Sequence, residues 1–228
     1  MTDMLPLSPK GATTRAVALA GATGLVGRAI LEGLLADASV AAVHALGRRE
    51  PGLSHPKLIP HVVDFAALPP LPPVDEVYLA LGTTIKAAGS QSAFRAVDFD
   101  ANLAVARAAL AAGARRAGLV SAMGADANSR IFYNRVKGET EEALARLGFE
   151  GLVVARPSLL LGDREALGQP GRAAEKLATA AGRLLGPFIP ANYRPIAAAH
   201  VARALLARVP TAEGRAVLLS GDMQGASG

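Results

Sequence analysis

Tyr133 and Lys137 stand four residues apart in IFYNRVKGET, residues 131–140. On a helix that spacing puts a phenol and an ammonium group on one face, within reach of one ligand. A free phenol is too weak an acid to exchange protons well at neutral pH. A cation beside it favours the phenolate and makes it a usable acid–base group. The ammonium can also bond the hydroxyls of a ribose. Ser121 lies twelve residues before the tyrosine, at the end of an expected strand, and its hydroxyl would polarise the same substrate oxygen. Together the three suggest proton transfer coupled to reduction of a carbonyl or oxidation of an alcohol. A lone Tyr-x-x-x-Lys also arises by chance, so its meaning depends on the chain around it.

Upstream, VALAGATGLVGRAI places Gly21, Gly24 and Gly27 between an apolar run and a helical pattern. A chain that turns sharply there can bring its backbone against a pyrophosphate, which side chains would block. The following helix offers unpaired N–H groups and a partial positive charge to the anion. The third glycine lets the helix pack closely on the strand. A glycine-rich turn without ligand is the plainer alternative, but the strand–turn–helix context favours nucleotide binding.

The end of the second expected strand decides which nucleotide. An acid there would bond the adenosine ribose of NAD; LGRRE puts Arg48 and Arg49 there instead. Guanidinium groups bind a 2′-phosphate through charge-assisted, often bidentate hydrogen bonds. NADP(H) is therefore favoured over NAD(H), with Glu50 one step further on a mild counterweight. Asp64, in VDF, is placed to meet the adenine amino group, and the backbone of LALGTT, residues 79–84, to border the cofactor.

The elements that must position these residues follow from periodicity. Apolar runs predict buried strands at 15–20, 40–47, 57–65, 76–82, 116–124 and 151–162, the last leaving the sheet near Pro157. Helical spacing predicts helices at 27–37, 91–112, 131–147, 173–186 and 197–209, with a last strand at 216–221. Alternating strands and helices imply an α/β, doubly wound parallel-sheet Rossmann fold. Residues 1–14 read as a flexible tail. Residues 15–228 read as one NAD(P)-binding domain, with 163–228 a small helical cap on the substrate side.

Composition narrows the function classes. The chain has no cysteine, which removes thiol nucleophiles, disulfides and thiolate metal sites. The net charge is +5, but the basic residues are scattered, without long runs or interleaved aromatics, so no nucleic-acid partner is expected. His44 reads as buried structure. His55, His61 and His200 show no metal-ligand spacing, so no metal is expected. The absence of a signal-like segment or an apolar span predicts a cytoplasmic protein without a membrane partner, as a monomer or homodimer.

GATGLVG, GRR, Ser121 in LVSAMGA, YNRVK and RPSLLLGDR together resemble the short-chain dehydrogenase/reductase superfamily, of the atypical or extended kind. LGTTIKAAGSQSAFRAVDFD and FYNRVKGETEEAL resemble more narrowly the small reductases related to the Tat-interacting protein family, some described as nucleoside-diphosphate-sugar epimerase-like. The match spans roughly residues 15–210. It implies an NADPH-binding Rossmann fold with Tyr133 as proton donor or acceptor, Lys137 as its partner and Ser121 as third member. It implies cofactor contacts from Thr23, Gly24, Leu25, Val26, Arg48 and Arg49, beside Gly21 and Gly27, and from Leu81, Gly82, Thr83, Pro157 and Arg164. Where relatives often carry two serines this chain has Ser121–Ala122, so the polarising hydroxyl rests on Ser121 alone. Asn102 is a candidate support for the lysine. The reading that results is NADP(H)-dependent carbonyl–alcohol oxidoreduction of a small-molecule substrate. A non-catalytic NADPH-binding regulator or assembly factor, and a nucleoside-diphosphate-sugar epimerase or dehydratase, are the alternatives.

Overall fold

The structure, a computed structural model, describes residues 14–161 and 190–224. The expected helix at 173–186, Arg164 and nearly all of the expected tail lie outside them. In chain order the first elements are β1 (Arg15–Ala20), α1 (Leu25–Ala36), β2 (Val40–Gly47), β3 (Leu58–Val62) and β4 (Glu76–Leu79). Next come α2 (Ile85–Ala88), α3 (Gln91–Arg95), a π-helical turn (Ala96–Ala101), α4 (Asn102–Ala111), β5 (Arg116–Val120), α5 (Phe132–Ala145) and β6 (Gly151–Arg156). The short strands β7 (Leu160–Leu161) and β8 (Ile196–Ala197) pair with each other; α6 (Ala198–Arg208), β9 (Gly214–Leu219) and α7 (Ser220–Gln224) follow.

Seven strands form one sheet in the order β3-β2-β1-β4-β5-β6-β9, parallel at every pairing. Parallel neighbours need crossover connections, and helices supply most of them, while β2 and its parallel neighbour β3 are joined by a helix-free stretch. Both faces are therefore covered, and successive residues of β1 bury on opposite sides. Val17 and Leu19 join the cluster under α1 and α6, with Ile30, Leu34, Val201 and Leu205. Ala18 and Ala20 join the cluster under α4 and α5, with Val105, Ala109 and Leu144. The strand order reverses direction between β1 and β4, so the carboxyl ends of these two strands open a crevice. That is where α/β sheets receive ligands.

Two expectations change. The expected cap at 163–228 contains α6 and β9, and both belong to the sheet's own body. β9 lies parallel to β6 as the seventh strand, and α6 buries its stripe of Ala198, Val201, Ala202 and Leu205 over α1. Apolar burial draws α6 onto α1, while β9, of which only Leu218 is buried, is held at the sheet edge by its pairing with β6. The single helix expected at 91–112 is instead α3, the π-turn and α4 in succession. The wider turn accommodates an extra residue and brings Asp98 into the interior. Among the described residues, no helix is long and apolar enough to cross a membrane.

Candidate active site

β1 delivers the chain into the glycine turn at the crevice. Gly21 has φ of 92°, in the left-handed region, and a Cβ there would stand 2.4 Å from the carbonyl oxygen of Ala80. A Cβ on Gly27 would stand 2.0 Å from the carbonyl oxygen of Gly21. Backbone occupies both directions, so only glycine lets β1, the end of β4 and the first turn of α1 approach this closely. Gly24 takes the N-cap position with no side-chain cap, and the first turn of α1 holds no acid. The positive end of α1 therefore begins at Leu25 and Val26 without a carboxylate to neutralise it, beside Thr23. A cradle of backbone closed to side chains, under an uncapped helix terminus, fits a pyrophosphate.

Arg48 and Arg49 follow β2, the neighbour of β1. Both are exposed, and among the described residues neither makes a hydrogen bond or ion pair. Asp64 is also exposed after β3, where its Oδ1 accepts from the Ala66 N–H at 2.9 Å and caps a short 3-10 turn. On the same two strands His44 Nδ1 and His61 Nε2 lie 3.0 Å apart. Burial, and then His61, hold the His44 imidazole below the usual histidine pKa. Among the described residues no three histidine or carboxylate side chains gather as a metal site.

α5 carries Tyr133 and Lys137. Lys137 is buried, with its Nζ 2.8 Å from Asp98 Oδ1. Burial works against its charge, but Asp98, Tyr133 and Glu141 outweigh it and raise the pKa above the usual lysine value. Tyr133 stands one helical turn before Lys137 on α5. The Tyr133 ring packs on Phe94 with centroids 5.4 Å apart. The loop after β4 closes over this pair: a Cβ on Gly82 would lie 3.6 Å from Asp98 Oδ1 and 3.9 Å from Lys137 Nζ. Thr83 N–H donates to Asp98 Oδ2 at 2.9 Å, and Asn102 Nδ2 donates to the carbonyl of Leu81 at 3.1 Å. Asn102 thus acts on the lysine's surroundings through the loop and through the Asp98 carbonyl, to which it donates at 3.0 Å.

Ser121 follows the end of β5, but its hydroxyl does not turn to open space. It is buried and donates to Glu141 Oε1 at 2.5 Å. Glu141 lies one turn beyond Lys137 on α5 and is 1% exposed. Arg156 grips it with two bonds, Nε to Oε1 at 2.9 Å and Nη2 to Oε2 at 2.6 Å, and Arg215 adds a third at 3.0 Å. A buried carboxylate needs such partners, and the serine hydroxyl completes the set. The adjacent Ala122 carries no polar group. The segment is fixed beside Pro157, because Met123 N–H donates to the Pro157 carbonyl at 2.9 Å.

The structure therefore brings Lys137, Asp98 and the Leu81–Thr83 loop together, keeps Tyr133 one helical turn before Lys137 against Phe94, and commits Ser121 to an interior network. Two residues the sequence reading passed over organise this region. Glu141 had a legible signal: it is eight residues after Tyr133 and four after Lys137, on the same helical stripe. Asp98 had a weaker one, an acid within an Ala-rich helical stretch.

A seven-stranded parallel sheet, a side-chain-free turn under the first helix, and a helix carrying Tyr133 and Lys137 after the fifth strand define a Rossmann fold. The fold matches an oxidoreductase of the short-chain dehydrogenase/reductase family from Burkholderia thailandensis, 21% identical with a TM-score of 0.67, covering 93% of this chain and 94% of that one. It also matches MoeE5 in complex with UDP-glucose and NAD, 18% identical with a TM-score of 0.67, covering 89% of this chain and 75% of that one. No protein-family model matches the sequence. The chain belongs to the Fmp52 family: it is 40% identical over 159 residues to the protein fmp52, mitochondrial, of Emericella nidulans, covering 65% of this chain and 68% of that protein.

These relatives correct the expected cytoplasmic location. The Emericella protein and those of Aspergillus terreus and Eremothecium gossypii are all named mitochondrial. A lack of cysteine is as compatible with that compartment as with the cytoplasm, so composition had no power to separate them.

Proposed function

We propose that this protein is an NADP(H)-dependent oxidoreductase acting on a small carbonyl or alcohol substrate, with Tyr133 as the acid–base group. The observation that carries the reading is a buried, charged Lys137 fixed beneath Gly82 and four residues after Tyr133. In this reading the backbone from Gly21 through Thr23, Gly24, Leu25, Val26 and Gly27 holds the pyrophosphate. Arg48 and Arg49 meet the 2′-phosphate and Asp64 the adenine. Leu81, Gly82, Thr83 and Pro157 border the nicotinamide side. The nicotinamide, when bound, supplies or accepts the hydride. Tyr133 gives a proton to the carbonyl oxygen in reduction and takes it back in oxidation. Lys137 holds the ribose. With Ser121 bonded to Glu141, polarisation of the substrate oxygen falls to Tyr133, and Ser121 helps anchor α5.

That same commitment of Ser121 favours a second reading, an NADPH-binding regulator or assembly factor without turnover. Both readings require the dinucleotide. Calorimetric titration with NADPH and NADH tests them together, using the wild type and an Arg48→Ala/Arg49→Ala variant. Losing one charge-assisted contact of about 1.5–3 kcal/mol weakens NADPH binding by roughly 10–100-fold. NADH affinity should stay within about twofold, since its adenosine ribose carries no 2′-phosphate to lose. A wild type that prefers NADH, or a variant that binds NADPH as before, would overturn the NADP(H) assignment.

A further inference from the structure

Lys137 arrives at the site already paired. The Asp98 side chain is 0% exposed and the lysine side chain 8% exposed, and the two meet at 2.8 Å. Burying such a pair costs desolvation free energy that its mutual attraction often fails to recover, so stability alone is a poor reason to keep it. The local backbone is also unusual: Asp98 sits on the π-turn, a geometry that concentrates at functional sites. Every part of the residue is held. Thr83 N–H donates to its Oδ2, and Thr140 Oγ1 and Asn102 Nδ2 donate to its carbonyl.

We propose that Asp98 is the positioning residue of the site: a built-in counter-ion that keeps Lys137 protonated and directed at the Leu81–Thr83 loop before any ligand arrives. An ammonium has three donors. Asp98 takes one and leaves the others for the ribose and the phenol. This use of the free donors rests on the cofactor reading above; the pairing itself does not. Without its carboxylate, a lysine this deeply buried would shed its proton. The charged and titratable groups acting on Lys137 from its own helix are Tyr133 and Glu141. From the π-turn the group is Asp98. The loop after β4 contributes only Gly82 and Thr83, which carry no charge. Glu141 is itself matched by Arg156 and Arg215, so Asp98 is the carboxylate left to answer the lysine.

Asp98→Asn tests this, because the amide keeps the shape and an oxygen for Thr83 N–H while removing the charge. The chain has lysines only at 10, 57, 86, 137 and 176, so side-chain NMR on lysine-labelled protein is sparse, and Lys137→Gln identifies the signal. In the wild type the Lys137 amine should titrate above the ordinary value of about 10.4. In Asp98→Asn its midpoint should move down, while Asp98→Glu, which restores the carboxylate, should move it back up. NADPH affinity of Asp98→Asn should then fall by roughly tenfold between about pH 6 and about pH 9, as the lysine loses its charge, with the wild type flat within about twofold. An unmoved lysine midpoint in Asp98→Asn would overturn the proposal, and so would a lowered midpoint with NADPH affinity flat between about pH 6 and about pH 9, the outcome expected of a purely structural ion pair. A wild-type midpoint below the ordinary lysine value also overturns it, and needs no variant to fold. If the midpoint falls in Asp98→Asn but no form binds NADPH, the counter-ion stands and the cofactor reading fails.

Discussion

Gly21→Ala should cost about 3 kcal/mol of stability, from roughly 1–2 kcal/mol for a side chain at positive φ plus about 1–3 kcal/mol for overpacking. In a protein of this size that lowers Tm by about 10 °C. The added methyl would point at the backbone of Ala80, with its carbonyl oxygen 2.4 Å away. Neither strand can give way, because β1 and β4 are paired in register from Val17 and Glu76 to Ala20 and Leu79. Any relief must come from the turn itself, which moves the N-terminus of α1 off its line. Dinucleotide affinity should fall with stability, by about tenfold or more for a displaced anion cradle. Differential scanning calorimetry and NADPH titration check both. A variant that melts within about 2 °C of the wild type and binds NADPH equally would mean that the close approach of β1 to β4 is not what shapes the turn.

Tyr133→Phe separates chemistry from binding. The phenylalanine keeps the ring that packs on Phe94 and removes only the hydroxyl. Loss of a positioned acid–base group typically lowers turnover by about 10²–10⁴-fold, and NADPH affinity should stay within about threefold. The measurement is kcat with the best substrate from a carbonyl panel, beside calorimetric affinity. Unchanged turnover would remove Tyr133 from the chemistry. A wild type that binds NADPH but turns over nothing in the panel would favour the regulator.

Much of the architecture was legible because it rests on local periodicity. The glycine turn, the parallel strands and the Tyr133–Lys137 spacing each need only a few neighbouring residues to specify them. What was not legible depends on tertiary partners. Ser121 has two directions open to it, and only the folded position of Glu141, tethered by Arg156 on β6 and Arg215 on β9, decides which one it takes. Asp98 enters the interior because the helix widens to a π-turn, and no residue pattern at 91–112 announces that extra residue. Where α6 and β9 settle was not legible for the same reason. The α6 stripe says that it buries, but not whether over the crevice or onto α1, and the short apolar run of β9 does not say which strand it pairs with. The expected location erred differently: a compartment is not a property of the folded body.

The central claim is that a dinucleotide lies from the glycine turn to the Tyr133–Lys137 pair. A crystal structure of the NADPH complex tests it most directly. The account predicts the pyrophosphate against the backbone at Gly24–Val26, the 2′-phosphate beside Arg48 and Arg49, and the nicotinamide ribose bonded to Lys137 with Asp98 still paired behind it. A nicotinamide ring directed away from α5, or a Lys137 without contact to the ribose, would contradict it.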